Sequence, residues 1–238
     1  AKHFMFTDES FPPALFIKLP PMMVERDLGI YWTTLIRFES QLLDPKLWDM
    51  AHKSGCRSLY YGLESANERI IKLVKKGVDI KAPKINLEQA KRVGIWSHVM
   101  CFYGFPSETP EEAEDTRQFL IQNQGMIPSV EMYFFVLYKS APVMFQTEEY
   151  KIRVKENPEH DLALDFYYTP DSGQTTEEAM ARYEDFYRND FDPWALRINA
   201  REHVLLYITH FGTSDLPDLY VKNNREAHET NLAPEVML

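Results

Sequence analysis

Short apolar stretches punctuate the first 142 residues, and a helix-start signal follows each one. Strands are expected at 3–7, 30–38, 58–63, 95–102 and 130–138, where β-branched, aromatic and aliphatic side chains alternate or run together. Between them, Asp44-Pro45 pairs an N-cap with proline at the first helical position, and Gly55 closes that helix. Ser65 with Glu68 predicts a capping box, and Gly77 a left-handed stop. Asn86 with Gln89 opens a further helix that ends at Gly94, and Thr109-Pro110-Glu111-Glu112 makes another capping box. Strand starts recur roughly every 30 residues, the length of a βα unit. Strands alternating with helices imply a parallel sheet with its crossovers on one side, and five units are too few for a closed eight-fold barrel. The expected fold is therefore α/β, a partial (βα) barrel of about five units.

Past residue 141 the pattern changes. Residues 146–170 are polar and proline-punctuated, and 175–188 read as an amphipathic helix with Met180, Tyr183, Phe186 and Tyr187 along one side. A second helix is expected at 197–211 and a poorly ordered tail at 216–238. The division is a barrel part, 1–142, and a mainly helical part, 143–238.

Composition narrows the function. The 238 residues are 45% hydrophobic and 26% charged, ordinary for a folded protein able to bury a core. A net charge of −10 leaves no basic stripe for nucleic acid; the one dense basic run, 72–81, sits where cations favour a helix C-terminus. Two cysteines, Cys56 and Cys101, form neither a CxxC pair nor a disulfide framework, which fits a cytoplasmic setting. No apolar run approaches the roughly 18 residues a membrane span needs, and no signal peptide is seen. The chain opens directly on a core strand, as if cut from within a larger protein, so an exposed sheet edge able to pair in a dimer is expected.

Polar groups gather at the predicted strand ends, where such a fold keeps its chemistry. Asp8 and Glu9 follow the first strand, Arg37 and Glu39 the second, Glu64 and Ser65 the third. The fourth is followed by Gly104, Ser107 and Glu108, the fifth by Tyr138, Lys139 and Ser140. Each also has a structural reading: Arg37 and Glu39 as a strand-linking pair, Ser65 and Thr109 as caps, Asp8 and Glu9 as the start of a helix. The seven histidines include no HxH or HxxxH pair, and no GxSxG, P-loop or GxGxxG occurs. Cys101 reads as a small core residue, and His98 shares a strand face with Met100, Phe102 and Gly104.

In order and spacing, several segments resemble the core of the radical S-adenosylmethionine (SAM) superfamily, nearest to the set whose core commonly follows a cobalamin-binding domain. They are Phe4-x-Phe6-x-Asp8-Glu9-x-Phe11, Arg37-x-Glu39, Gly62-Leu63-Glu64-Ser65 with Leu73-x-x-Lys76-Gly77, and Gly104-x-Pro106-x-Glu108-Thr109. The resemblance spans about residues 3–142 and implies units two to six of a six-unit partial barrel. It implies that Asp8 and Glu9 lie near the methionyl ammonium of SAM, with Glu64 and Ser65 at its ribose or methionyl end. Arg37, beside Glu39, would take the carboxylate, and Phe102 and Gly104 would shape the adenine pocket. Tyr138 and Lys139 would face the substrate, a small molecule or peptide.

The chain departs from that family in having no CxxxCxxC loop, so three thiolates for a [4Fe–4S] cluster are not available from it. The expectation is a C-terminal core fragment of an enzyme that, when intact, cleaves SAM reductively at such a cluster, with cobalamin-dependent methyl transfer as one outcome. No cofactor or metal is expected on this chain alone. Two other readings stand beside it: a cluster-free barrel hydrolase using Glu64 and Glu108 as an acid–base pair, and a non-catalytic barrel remnant that binds SAM or a partner.

Overall fold

The computed structural model describes residues 1–77, 79, 81–155, 164–190 and 201–212. Five strands lie side by side in chain order in one parallel sheet: β1 (His3–Met5), β2 (Tyr31–Arg37), β3 (Cys56–Glu64), β4 (Trp96–Tyr103) and β5 (Ser129–Phe134). Parallel neighbours need crossovers. These are α1 (Pro13–Glu25), α2 (Pro45–Lys53), the pair α3 (Glu68–Val74) and α4 (Ala82–Val93), and α5 (Pro110–Gln122). Short antiparallel ribbons follow, β6 (Leu137–Tyr138) with β8 (Asp165–Phe166) and β7 (Ile152–Val154) with β9 (Tyr168–Pro170), around the one-turn helices α6 (Pro142–Phe145) and α7 (Thr147–Tyr150). Helix α8 (Thr176–Asp185) runs into a π turn, Phe186–Asp190, and α9 is Arg201–Phe211. The 216–238 segment expected to be a tail lies outside the described residues.

Strand alternation decides which side chains meet the helices. Trp32 and Ile36, Leu59, Tyr61 and Leu63, Val99, Cys101 and Tyr103, and Val130 and Met132 all enter one core. Phe16 and Met23 of α1, Trp48 and Ala51 of α2, Leu87 and Ala90 of α4, Ala113 and Leu120 of α5, and Ala179 of α8 fill its other side. Helix α8 thus extends the outer helix layer against β4 and β5. Helix α9 packs across β1, β2 and β3 from the opposite side, with His3 Nε2 2.9 Å from Thr209 Oγ1.

Several expected details are corrected by the structure. Asn67, not Ser65, caps α3, accepting from the Arg69 and Ile70 amides, and the helix stops at a left-handed Lys75 (φ 59°), two residues before Gly77. Helix α4 starts at Ala82, with Pro83 in its first turn. Asn86 is inside it and buried, its side-chain oxygen accepting from the Glu39 amide (3.0 Å). The expected strand 130–138 breaks after Phe134. The Phe135 amide still donates to Tyr103 O (2.7 Å), but β4 ends there, so β5 loses its partner and the chain leaves the sheet. In α8 the buried side is Ala179, with Phe186 just beyond, while Met180 is exposed. The Thr109–Glu112 capping box forms as expected, and Thr175–Glu178 forms a second at α8.

Candidate functional site

The C-terminal ends of β2 and β3 hold four charged side chains together. Arg37 Nη2 lies 2.9 Å from Glu39 Oε1, and Lys76 Nζ lies 2.7 Å from Glu64 Oε1. Arg37 Nη1 also donates to the Lys76 carbonyl (3.3 Å), which ties the two pairs into one cluster. Its Nε is buried without a hydrogen-bond partner among the described residues. Partly exposed ion pairs of this kind add only about 0–1 kcal/mol to stability, so their significance lies in placement.

Glu64 reaches its position through backbone geometry. It adopts a left-handed conformation (φ 64°), at an irregularity where β3 shifts register against β4. Its carboxylate then folds back over Gly62: a Cβ on Gly62 would sit 2.6 Å from Glu64 Oε1. Gly62 alternates with Tyr60 and Ser58, so this is the strand face turned away from the main helix layer. The absent side chain at Gly62 is what makes room for the carboxylate.

Other expected site residues are placed differently. Asp8 and Glu9 are exposed at the end of β1. Ser65 is fully buried against α5, its hydroxyl 3.0 Å from Thr116 Oγ1 and accepting from the Asn67 amide, so it does not join the Glu64 cluster. Phe102 is half-buried beside Phe105 and Phe135. The space next to Gly104 (φ 81°) is taken by Ala179 of α8, 2.4 Å from where a Cβ would be. Tyr138 stands on the β6–β8 ribbon and is exposed, and the Lys139 amide bonds Leu164 O (2.8 Å), because the fifth strand ended earlier than expected.

Glu108 is fully buried; its Oε2 accepts from the Gly104 amide, while Oε1 has no hydrogen-bond partner among the described residues. Burial pushes its carboxyl up to about 7 against the pull of that amide. It is a clamp inside the β4–α5 turn, whereas Glu64 is paired with Lys76 on the far face of β3. The acid–base pair of a hydrolase is not assembled from these two.

Lys76 was not among the expected site residues, although it stands in the Leu73-x-x-Lys76-Gly77 segment, whose spacing carries the signal. Both cysteines are buried core thiols. Burial pushes both thiols far up, and nearby carboxylates, Glu64 first, push Cys101 further. Among the described residues no group of three or more His, Cys, Asp or Glu side chains is arranged for a metal ion. The residues present do not fit a [4Fe–4S] cluster. No helix among them is long and apolar enough to cross a membrane.

Residues 22–120 match the family model described as the Radical SAM superfamily. Over that stretch the chain is similar to the radical SAM superfamily. It is 30% identical over 158 residues to the bacteriochlorophyllide d C-12(1)-methyltransferase of Chlorobaculum tepidum, covering 64% of this chain and 32% of that protein. It is 29% identical over 120 residues to an uncharacterized methyltransferase, PH0819, of Pyrococcus horikoshii, covering 50% and 26%. The matched stretches thus span about a quarter to a third of these relatives. Among solved structures, the radical SAM methyltransferase TsrM of Kitasatospora setae, with tryptophan and a SAM analogue bound, superposes with a TM-score of 0.65 at 15% identity, covering 95% of this chain and 53% of that one. The cobalamin-dependent radical SAM enzyme OxsB gives 0.59 at 12%, covering 99% and 41%. At such identities these likenesses concern the fold, and they agree with a partial (βα) barrel.

Proposed function

We propose that this chain is the SAM-holding part of a larger radical SAM enzyme of the cobalamin-associated methyltransferase type. The observation that carries it is the cluster of Arg37, Glu39, Glu64 and Lys76 at the C-terminal edge of a radical SAM sheet. SAM ends in a zwitterion, with an ammonium beside a carboxylate. Opening the Glu64–Lys76 pair offers one partner to each: Glu64 takes the ammonium, and Lys76 with the unpartnered Arg37 Nε takes the carboxylate. Asp8 and Glu9, at the neighbouring strand end, would add to the negative side. When bound, SAM supplies the sulfonium on which the chemistry of the intact protein depends; this chain's residues bind and orient it. The cluster and any cobalamin would come from outside this chain, and the substrate would be a small molecule or peptide.

Equilibrium binding to the full-length protein, with SAM and with decarboxylated SAM, tests this. Glu64→Ala is expected to weaken both ligands about 10-fold or more, and Lys76→Met to weaken SAM by about 10-fold while leaving decarboxylated SAM unchanged. Identical affinities in all three proteins would overturn the assignment. Gly62→Ala provides an independent check, since its Cβ would displace the Glu64 carboxylate. SAM affinity should fall several-fold, while the urea midpoint moves little because a flexible side chain can yield.

A further inference from the structure

Beside the first turn of α5, three turns of the chain and the outer side of α3 enclose a cavity of about 380 Å³, within the size range of small-molecule sites. The turns are β4–α5, α7–β7 and 171–174, and their backbones are fastened to one another. The Asp171 amide donates to Lys151 O (2.9 Å), and the Gln174 amide to Glu108 O (2.7 Å). Gly173 (φ 85°) lets the third turn press on the first, since a Cβ there would lie 2.5 Å from the Ser107 carbonyl carbon. Ser107 (φ 71°) and Lys151 (φ 51°) are both left-handed, a conformation that other residues than glycine hold chiefly where the surroundings impose it.

The lining has hydrogen-bond donors in excess. Its one carboxylate among the described residues, Glu149, is taken by Lys75 (2.8 Å). Its one guanidinium, Arg69, is forked onto Glu112 and also donates to Ser107 O (2.7 Å) and Ser107 Oγ (3.0 Å). The Ser107 hydroxyl, an acceptor toward Arg69, keeps its own hydrogen to donate. Lys151 Nζ and Ser172 Oγ have no partner among the described residues. One unpaired ammonium and two hydroxyls, with no unpaired carboxylate in the lining, call for an anion.

We propose that this cavity binds a phosphate monoester, its phosphoryl oxygens on Lys151, Ser107 and Ser172 and its organic body along Leu73 and Tyr150. A carboxylate is best matched by an arginine fork, and here that fork is occupied by Glu112. What remains is a point-charge ammonium and single-hydrogen donors, which suit the several oxygens of a phosphate. The volume exceeds what a bare phosphate ion fills, and the apolar sides of Leu73 and Tyr150 border the rest. The site does not depend on the SAM reading: Lys75 serves it, whereas Lys76 serves Glu64.

Titration of the full chain with phenyl phosphate, followed by ligand-observed NMR, tests it, with inorganic phosphate, phenylacetate and benzyl alcohol alongside. Phenyl phosphate is expected to bind about 10-fold or more tighter than each of the others. Lys151→Gln should weaken it about 10-fold and Ser172→Ala about 3-fold, with urea midpoints unmoved because neither side chain has a partner to lose. Failure of phenyl phosphate to bind, or equal affinity in Lys151→Gln, would overturn the proposal. Inorganic phosphate binding as tightly as phenyl phosphate would overturn it as well, leaving only a surface charge. Phenylacetate binding as tightly would do the same, since any anion would then serve. Weakening by Lys76→Met in place of Lys151→Gln would move the probe to the Glu64 cluster and sink the site described here. Phenyl phosphate binding with the expected variant pattern, in a protein that fails to bind SAM, would uphold this site and sink the SAM reading alone.

Discussion

Gly55→Ala is expected to remove a large share of the stability of the fold, the largest effect expected of any single substitution in this protein. Gly55 links α2 to β3 at φ 101°, a conformation L side chains rarely adopt. A Cβ there would lie 1.9 Å from the Ile30 carbonyl oxygen and 2.9 Å from its carbon. These are backbone atoms at the entry to β2, so no rotamer change relieves the clash. The Gly55 carbonyl also accepts from the Trp32 amide (2.9 Å), which starts the β2–β3 ladder. Backbone strain contributes about 1–2 kcal/mol and the forced separation about 1–3 more, against a typical total of about 5–15 kcal/mol. Chemical denaturation should show a loss of about 2–5 kcal/mol, or no folded protein. Stability within 1 kcal/mol of the parent would mean that the turn relaxes freely. Because β2 and β3 carry Arg37 and Glu64, partial unfolding here should also abolish the proposed SAM binding.

Gly55 also shows how the sequence was legible and where that stopped. As a helix terminator it was readable from its place after an Asp-Pro start, but the carbonyl pressed against it comes from Ile30, far away in the chain. The same division holds throughout. Strand and helix order, the Thr109 box and the Asp44 cap follow from local chemistry and were readable. Ser65 and Asn67 competed for one cap, and the choice was settled by Thr116 of α5, a partner from a later crossover. Asn86 looked like a helix start because its type favours caps. It is instead a buried bond to the Glu39 amide that locks α4 beneath the end of β2.

The site divided in the same way. Arg37, Glu39 and Glu64 sit where their strand-end positions placed them, whereas Ser65 turned toward α5. Tyr138 and Lys139 fell off the sheet because β4 stopped at Tyr103. The polar members of β5 that do share the Glu64 face, Ser129, Glu131 and Tyr133, were signalled by their alternation with Val130, Met132 and Phe134.

Glu108→Gln is expected to stabilise the protein in alkaline solution and to cost it a little in acid. Glu108 is sealed within the β4–α5 turn, where burial raises its carboxyl from an ordinary 4.5 to about 7. The Gly104 amide, Arg182 and Arg69 only partly offset this. Between about 4.5 and 7 the folded protein therefore holds a proton that the unfolded chain has released. Stability from this group is full below the lower value, declines as pH rises, and is lost above the upper one. The whole penalty is about 3 kcal/mol. Glutamine keeps an oxygen for the Gly104 amide and carries no charge at any pH. Its amide nitrogen would stand where Oε1 has no partner among the described residues, at a cost of about 1 kcal/mol. Urea unfolding at pH 8.5 should thus favour the variant by about 2 kcal/mol, and at pH 4 the parent by about 1. The two stability curves should cross between those values. Parallel curves would show that Glu108 is ionised in the folded protein throughout, and the Gly104 amide would then have to be a far stronger anchor than burial is a penalty. Crossing curves would identify this glutamate as a protonated clamp that closes the turn beneath α8, and would remove it from the acid–base chemistry of the sheet edge.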